Sequence, residues 1–407
     1  MENSTEIFAI ALGISRPWFI EKIAFEIVKN KKELHIYLNF EKGFKFKDDN
    51  GVDLITHDTH QRTWQHMNFF EHKCFLHCRV PRVKNSENKV SSVAVPWARK
   101  GSGFTLLFEA FSMLLIESEM PISKVGKVMS VFPQRIWNVF HYWISIAHQK
   151  DQIGKLEKLG FDETSSKKGH KYVTTLVDLD ARRVLFASEG KGSENIKVSI
   201  DYLKSKDVEL EGIKSVCIDM SPAFISGCEQ HLPNAEITFD KFHVIKEVNK
   251  AMDEVRKVEG RLYADLKGHK YTFLKNKLSA QKKAEQSNLV EKYENLGNAH
   301  TLVQMFKDFW LIKDITEAET YLAFWCDIAE DSNLIPFINA VKTIKNHWTG
   351  IVNYIKSKIS NGILEGINSK IQLAKKRARG YRNIPNFISM IYFISGKLKF
   401  DYPQYST

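Results

Sequence analysis

Between Leu156 and Asp240 short apolar runs alternate with one-faced amphipathic stretches, and that order leaves few folds open. Leu156 to Asp162, Tyr172 to Asp178 and Val184 to Ser188 read as strands, the last two joined by the turn Asp180-Ala-Arg-Arg183. Ile196 to Leu203 is spaced as an amphipathic helix. Ser215 to Ile218 and Glu236 to Phe239 are short buried strands that stop on Asp219 and Asp240.

The expected order is strand, strand, strand, helix, strand, helix, strand, which matches a ribonuclease H-like mixed sheet with helices on both faces. The chain as a whole is then a multidomain α+β protein. Residues 1–97 form a small β-rich module, with alternating segments at Glu33 to Phe40 and Cys74 to Val80. Residues 98–150 carry three helices separated by Pro121 and Pro133, a pattern shared by a helix-turn-helix and a plain helical bundle. Residues 151–245 hold the first part of the mixed-sheet core, and residues 246–340, dominated by Lys, Glu and Asn, an all-helical insertion. The remainder of the core, residues 341–407, ends in a basic tail.

Lys plus Arg number 59 against 48 Asp plus Glu, so the partners favoured are polyanions, either nucleic acid or acidic membrane surfaces. The apolar run Ile7 to Leu12 is too short for a membrane span and lacks the preceding basic residues of a signal peptide. Five cysteines in 407 residues do not make a secreted disulfide framework, and a reducing cytoplasm suits them.

Carboxylates at strand ends suggest metal-assisted phosphodiester chemistry, which needs acids converging on two ions about 3.5–4 Å apart. If the first and fourth strands lie side by side and parallel, Asp162 and Asp219 reach one edge together. Glu365 lies on a helix whose apolar stripe is Ile363, Ile367, Ile371 and Ala378, leaving Glu365, Asn368, Gln372 and Lys376 on another face. Spacing alone leaves Glu163, Asp178, Asp180 and Asp240 as rivals, since a lone Asp or Glu is usually a solvated charge.

Five segments carry a resemblance. They are Gly160-Phe-Asp-Glu-Thr164 and its continuation to Val173, Val216-Cys-Ile-Asp-Met-Ser-Pro-Ala-Phe224, Phe239-Asp-Lys-Phe-His-Val244, Ser360-Asn-Gly-Ile-Leu-Glu-Gly-Ile-Asn368 and Ala378-Arg-Gly-Tyr-Arg382. Together they resemble the bacterial insertion-sequence transposases of the ISL-three family, over nearly the whole chain. The resemblance implies a DDE transposase with Asp162, Asp219 and Glu365 as the catalytic, metal-binding triad and two Mg²⁺ or Mn²⁺ ions. It also implies Asp240, His243 and Asn368 as groups that position DNA or support the metal ligands.

Between Gly366 and Lys399 there are eight Lys or Arg and no Asp or Glu. Lys375, Lys376, Arg377, Arg379 and Arg382 are the candidates for tracking DNA phosphates. Trp310, Trp325 and Trp348 suit either core packing or stacking on an unpaired base. Relatives in the family begin with a zinc-binding module, but the corresponding positions here are Lys47, Asn50, Asn85 and Asn88, so zinc is not expected. His72, Cys74, His77 and Cys78 are a further set, but the thiols and imidazoles do not share one strand face.

The resemblance implies a cytoplasmic, nucleoid-associated enzyme that binds the double-stranded terminal inverted repeats of its element as a homo-oligomer, at least a dimer. It cleaves DNA at the ends and joins them to target DNA. The rivals are a ribonuclease H-like nuclease without joining activity and a catalytically inactive DNA-binding descendant. No motif context activates a recombinase tyrosine or serine.

Overall fold

The computed structural model describes residues 4–47, 51–84, 89–167, 171–275, 277–357, 359 and 362–403. The chain divides into two compact units, residues 1–149 with 399–407, and residues 150–398.

The first unit opens with α1 (Ser4–Leu12) and continues through β1 (Trp18–Val28), β2 (Lys31–Phe40), β3 (Phe46–Lys47), β4 (Asp53–Phe69), β5 (His72–Lys84) and β6 (Val90–Ser92). The sheet order is β1-β2-β5-β4-β3, with β6 added to β5. Lys29 and Asn30, both at positive φ, make the two-residue hairpin turn between β1 and β2. Trp18, Leu34, Ile36, Leu38, Trp64, Leu76 and Val80 close a core of its own. The alternation marked β2 and β5; β1 and β4 escaped it because charged and polar residues break their apolar pattern.

Three helices complete this unit: α2 (Leu106–Glu117), α3 (Ile122–Val128) and α4 (Pro133–Lys150). The last starts at Pro133 itself, the N-terminal position where a missing N–H costs nothing. Gly126 on α3 lies against the turn into α4, and a Cβ there would stand 2.9 Å from the Val131 carbonyl oxygen. Behind α2, the fully buried Glu109 accepts from Ser102 Oγ (2.6 Å), Arg99 Nε (2.8 Å) and Trp143 Nε1 (2.8 Å).

The second unit begins with β7 (Lys158–Ser165), β8 (Tyr172–Asp178), β9 (Arg183–Glu189), α5 (Ser193–Ser205), β10 (Ser215–Ile218), α6 (Pro222–His231) and β11 (Glu236–Phe239). The sheet order is β11-β10-β7-β8-β9. The pairs β11-β10 and β10-β7 are parallel, and β7-β8 and β8-β9 antiparallel. The expected element order is the observed one, in a mixed α+β unit. The first strand differs from its reading: it runs on to Ser165, so Asp162 sits inside β7 opposite Thr175 rather than at its end.

The chain is then helical from α7 (Lys241–Leu262) through α8 (Lys270–Leu274), α9 (Ala280–Lys292), α10 (Glu294–Phe309), α11 (Ile315–Asp331), α12 (Ile335–Asn346) and α13 (Trp348–Ser357). These helices share one continuous apolar core with the sheet. Trp310 and Trp325 are buried in that core, and Trp348 packs against it. Along β11, Asn353 of α13 donates to the Ile237 carbonyl (2.9 Å), capping the open edge of the sheet. Last come α14 (Gly362–Arg377) and α15 (Ile384–Ser395); the former stops short of Ala378, where Arg379 and Gly380 turn to positive φ.

Among the described residues no helix is long and apolar enough to cross a membrane. Lys47 pairs with Asp53 in the β3-β4 ladder, while Asn50, Asn85 and Asn88, and Ser360 and Asn361 of the Glu365 motif, lie outside the described residues. Cys74 and Cys78 face the core, where burial pushes both thiols up to about 12, and His77 lies on the other face, bonded to His35 and Thr63.

Candidate active site

Three aspartates stand in one register row. Cys217 pairs with Gly160, and Ile218 with Phe239. Continuing each pairing by the same offset sets Asp219 level with Asp162 and Asp240 level with Asp219, with Asp219 and Asp240 just past the carboxyl ends of β10 and β11 and Asp162 inside the longer β7. The Asp240 N–H donates to the Ile218 carbonyl (2.8 Å), the last bond of the β10-β11 ladder, so Asp219 and Asp240 each follow directly on a paired residue. Carboxyl ends of parallel strands are where open sheets present their functional groups.

The row has electrostatic consequences. Burial, with the charges of Asp240 and Asp219, pushes the Asp162 carboxyl up to about 7, against the Glu163 N–H that it accepts (2.7 Å) and the nearby His243. The Asp240 carboxylate caps α7 by accepting from Phe242 N (2.7 Å) and lies 3.4 Å from His243 Nδ1, without the alignment of a hydrogen bond. That carboxylate raises the His243 pKa against desolvation, with smaller help from Asp219 and Asp162. Asp219 accepts from Ser221 N (2.9 Å), which fixes the start of α6.

Strand alternation turns Glu163 to the face opposite Asp162. Its carboxyl is raised by partial burial and by Asp219. Asp178 lies opposite Leu159, at the other end of β7, and is spent on the turn N–H of Ala181 (2.8 Å); Asp180 pairs with Lys158. The structure therefore gathers Asp162, Asp219, Asp240 and His243, and separates Asp178 and Asp180 from them.

The helix bearing Glu365 runs along β7. Leu364 packs over Gly160, where an added Cβ would stand 2.9 Å from its Cδ2. Asn368 donates to Asp162 Oδ2, Gln372 to Thr164 Oγ1 (2.7 Å), and Lys375 to the carbonyl and hydroxyl of Ser165 (2.5 and 2.9 Å). The match is geometric: four helical residues rise about 6 Å and two strand residues about 6.8 Å, so Asn368 and Gln372, i and i+4 on α14, meet the alternate residues Asp162 and Thr164 of β7, and Lys375 at i+7 reaches Ser165 beyond them. Thr164 and Ser165 thus join the site unannounced by any acid motif, whereas Gln372 comes from the helix face on which the sequence places it with Glu365 and Asn368.

Glu365 lies one turn before Asn368 and about 60° round the helix from it. It is exposed, and among the described residues nothing hydrogen-bonds or ion-pairs with it. Among the described residues no three Asp, Glu, His or Cys side chains converge closely enough to share an ion. Of the basic candidates, Lys376, Arg377, Arg379 and Arg382 are exposed, whereas Lys375 is turned inward onto Ser165 and its pKa is lowered by desolvation.

A family model described as a transposase matches residues 159–391, and one described as the helix-turn-helix domain of transposase family ISL3 matches residues 93–144. The chain belongs to the ISL3 transposases. The first match covers the sheet, the helical region and α14; the second takes in α2, α3 and most of α4, which settles a helix-turn-helix over a plain bundle. The transposase for insertion sequence element IS1001 of Bordetella parapertussis is 25% identical over 356 residues, 82% of this chain and 84% of that protein. The transposase for insertion sequence element IS1557 of Mycobacterium tuberculosis is 24% identical over 360 residues, 81% of this chain and 80% of that protein. This transposase of an insertion sequence therefore pairs a helix-turn-helix DNA-binding domain with a DDE domain.

Proposed function

We propose that this transposase cleaves DNA at the ends of its element and joins those ends to target DNA, with Asp162, Asp219 and Glu365 as the carboxylates of a ribonuclease H-like site. The reading rests on the row of three aspartates across adjacent parallel strands, onto which Asn368 docks the helix bearing Glu365. The donors are hard carboxylate oxygens, which suit Mg²⁺ or Mn²⁺; bringing Glu365 into the row requires its side chain to swing from solvent toward Asp162. Two bound divalent ions would neutralise charge on the attacking and leaving oxygens.

The chain's own residues do the positioning. Crowding of Asp162 by like charges favours a cation at its carboxylate. Asp240 is spent on capping α7 and on His243, so it anchors the row, and His243, favoured in its protonated form, faces the incoming phosphate as a positive group. In cleavage a water oxygen forms a bond to phosphorus as the bond to the 3′ oxygen breaks. In joining, the freed 3′-hydroxyl attacks a target phosphodiester and a target 3′ oxygen leaves. No covalent protein intermediate enters, and catalysis is orientation with charge neutralisation.

The helix-turn-helix recognises the inverted repeats, with Gln134 and Asn138, tied to each other at 3.1 Å, exposed on the first turns of α4. Lys376, Arg377, Arg379 and Arg382 track phosphates. The active assembly is an oligomer, since two ends must be held together.

The test is to incubate the protein with its flanking element ends, Mg²⁺ or Mn²⁺ and a target plasmid, and to map the products. Joined products from pre-cut ends are expected. Asp219→Asn and Glu365→Gln should abolish cleavage while retaining end binding; full cleavage by either variant would overturn the triad, and cutting without joining would leave only a nuclease.

A further inference from the structure

Among the described residues the outer edge of β1 is unpaired. It is the edge strand of its sheet, and among the described residues no main-chain bond reaches its outer side. Natural sheets blunt such edges, because a row of free N–H and C=O groups templates another strand. A bulge between Ile20 and Lys22 twists the first part of β1, but Lys22 to Val28 pairs regularly with β2 and is free of bulges. Along that stretch Phe25 is 52% and Ile27 74% exposed, more than an aqueous edge requires.

The stretch carries two charges, Lys22 and Glu26, on the outer face, where they flank Tyr37. Tyr37 donates to Glu26 (2.7 Å), and the Lys22 ammonium lies 5.7 Å from the centre of its ring. Both charges are thereby held at the strand edge. Only one antiparallel self-pairing sets them opposite each other, the one with its two-fold axis at Ala24.

We propose that a second copy of this chain docks on β1, edge to edge and antiparallel, about an axis at Ala24. Lys22 then faces Glu26 of the second copy, and Glu26 faces Lys22, two opposite-charge pairs from one symmetric contact. On the core face Ile23 and Phe25 exchange places across the axis, covering an exposed ring at each end. The proposal deepens the oligomer reading above by assigning its contact. Because β1 shares a compact unit with α2, α3 and α4, the pairing joins two helix-turn-helix elements by a two-fold axis, the symmetry of inverted repeats.

The experiment is sedimentation of the full-length protein over a concentration series, without DNA, with circular dichroism to confirm folding. Wild type should dimerise. Lys22→Glu and Glu26→Lys, each of which makes both pairs repulsive, should weaken association about tenfold or more. An equimolar mixture of the two variants should form dimers again, because every pair across the axis is then of unlike charge. A dimer unaffected by either variant, or a mixture that stays monomeric, would overturn the β1 contact while leaving the oligomer reading intact. A wild-type chain that stays monomeric would overturn the contact, and one monomeric even on element-end DNA would remove the oligomer reading with it.

Discussion

Asn368 and Asp162 are 206 positions apart, and the amide of the first donates to the carboxylate of the second. This contact couples α14 to β7 at the row of aspartates. Asn368→Ala removes the donor while leaving Leu364 and Gln372 to hold the helix, so the fold should survive. Supporting groups of this kind are worth about 10–100-fold in metal affinity or activity. End cleavage measured against Mn²⁺ concentration should fall within that range, and should recover in part with Asn368→Gln. Unchanged kinetics in Asn368→Ala would show that the contact only packs the helix.

The raised Asp162 pKa predicts a pH dependence of stability in the absence of divalent ions. An unfolded Asp releases its proton near 3.8, whereas this one keeps it to about 7. The native state thus binds more protons in between, and stability should decline as pH rises through that window and level off above it. Asp162→Asn removes the contribution. Thermal unfolding in EDTA at pH 5 and pH 8 should therefore show the variant gaining on wild type at the higher pH. Adding Mn²⁺ at pH 8 should stabilise wild type more than the variant. Parallel pH profiles for the two proteins would contradict the assignment.

Much of this site was legible in the chain because short buried strands ending on acids carry their own signal. Ser215 to Ile218 and Glu236 to Phe239 appear as strands with those bounds, and the parallel pairing of β7 with β10 follows the expected arrangement. What stayed hidden depended on register and on polar sequence. Asp162 continues into Glu163, Thr164 and Ser165, residues that look like a loop until β8 pairs with them. That Asp240 stands level with Asp219 needs the offset of two strands, which no single-strand pattern contains. The end of α14 before Ala378 follows from backbone turning left-handed at Arg379 and Gly380, and the apolar period ran past it. The exposure of Glu365 is a tertiary fact with no local signature.

Glu109 supplies a stability prediction in the first unit. Its carboxylate is fully buried and receives Arg99, Ser102 and Trp143, tying the segment before α2 to α4. Glu109→Ala leaves the Arg99 guanidinium and two donors without their acceptor, a loss of about 3–5 kcal/mol. Glu109→Gln keeps one carbonyl acceptor and should cost less. Urea unfolding of both variants measures the difference, and end binding should fall with the fraction unfolded. Equal stability of Glu109→Ala and wild type would mean that the network contributes nothing net.

Neighbouring lysines on α14 should separate by function. Lys375 is committed to Ser165 at the end of β7, while Lys376, next in sequence, is exposed. Neutralising a phosphate contact lowers affinity uniformly across sequences and reduces the salt slope of binding by about one. Lys376→Gln should do this, with thermal stability unchanged. Lys375→Gln should leave the salt slope alone, because its charge is not offered to DNA, and should instead lower thermal stability by loosening α14 from β7. Titrations of element-end DNA between 50 and 200 mM salt, on the order used to resolve such slopes, test both at once. If Lys375→Gln changes the slope as Lys376→Gln does, its ammonium must leave Ser165 for phosphate when DNA binds, and α14 must shift along β7 as it goes.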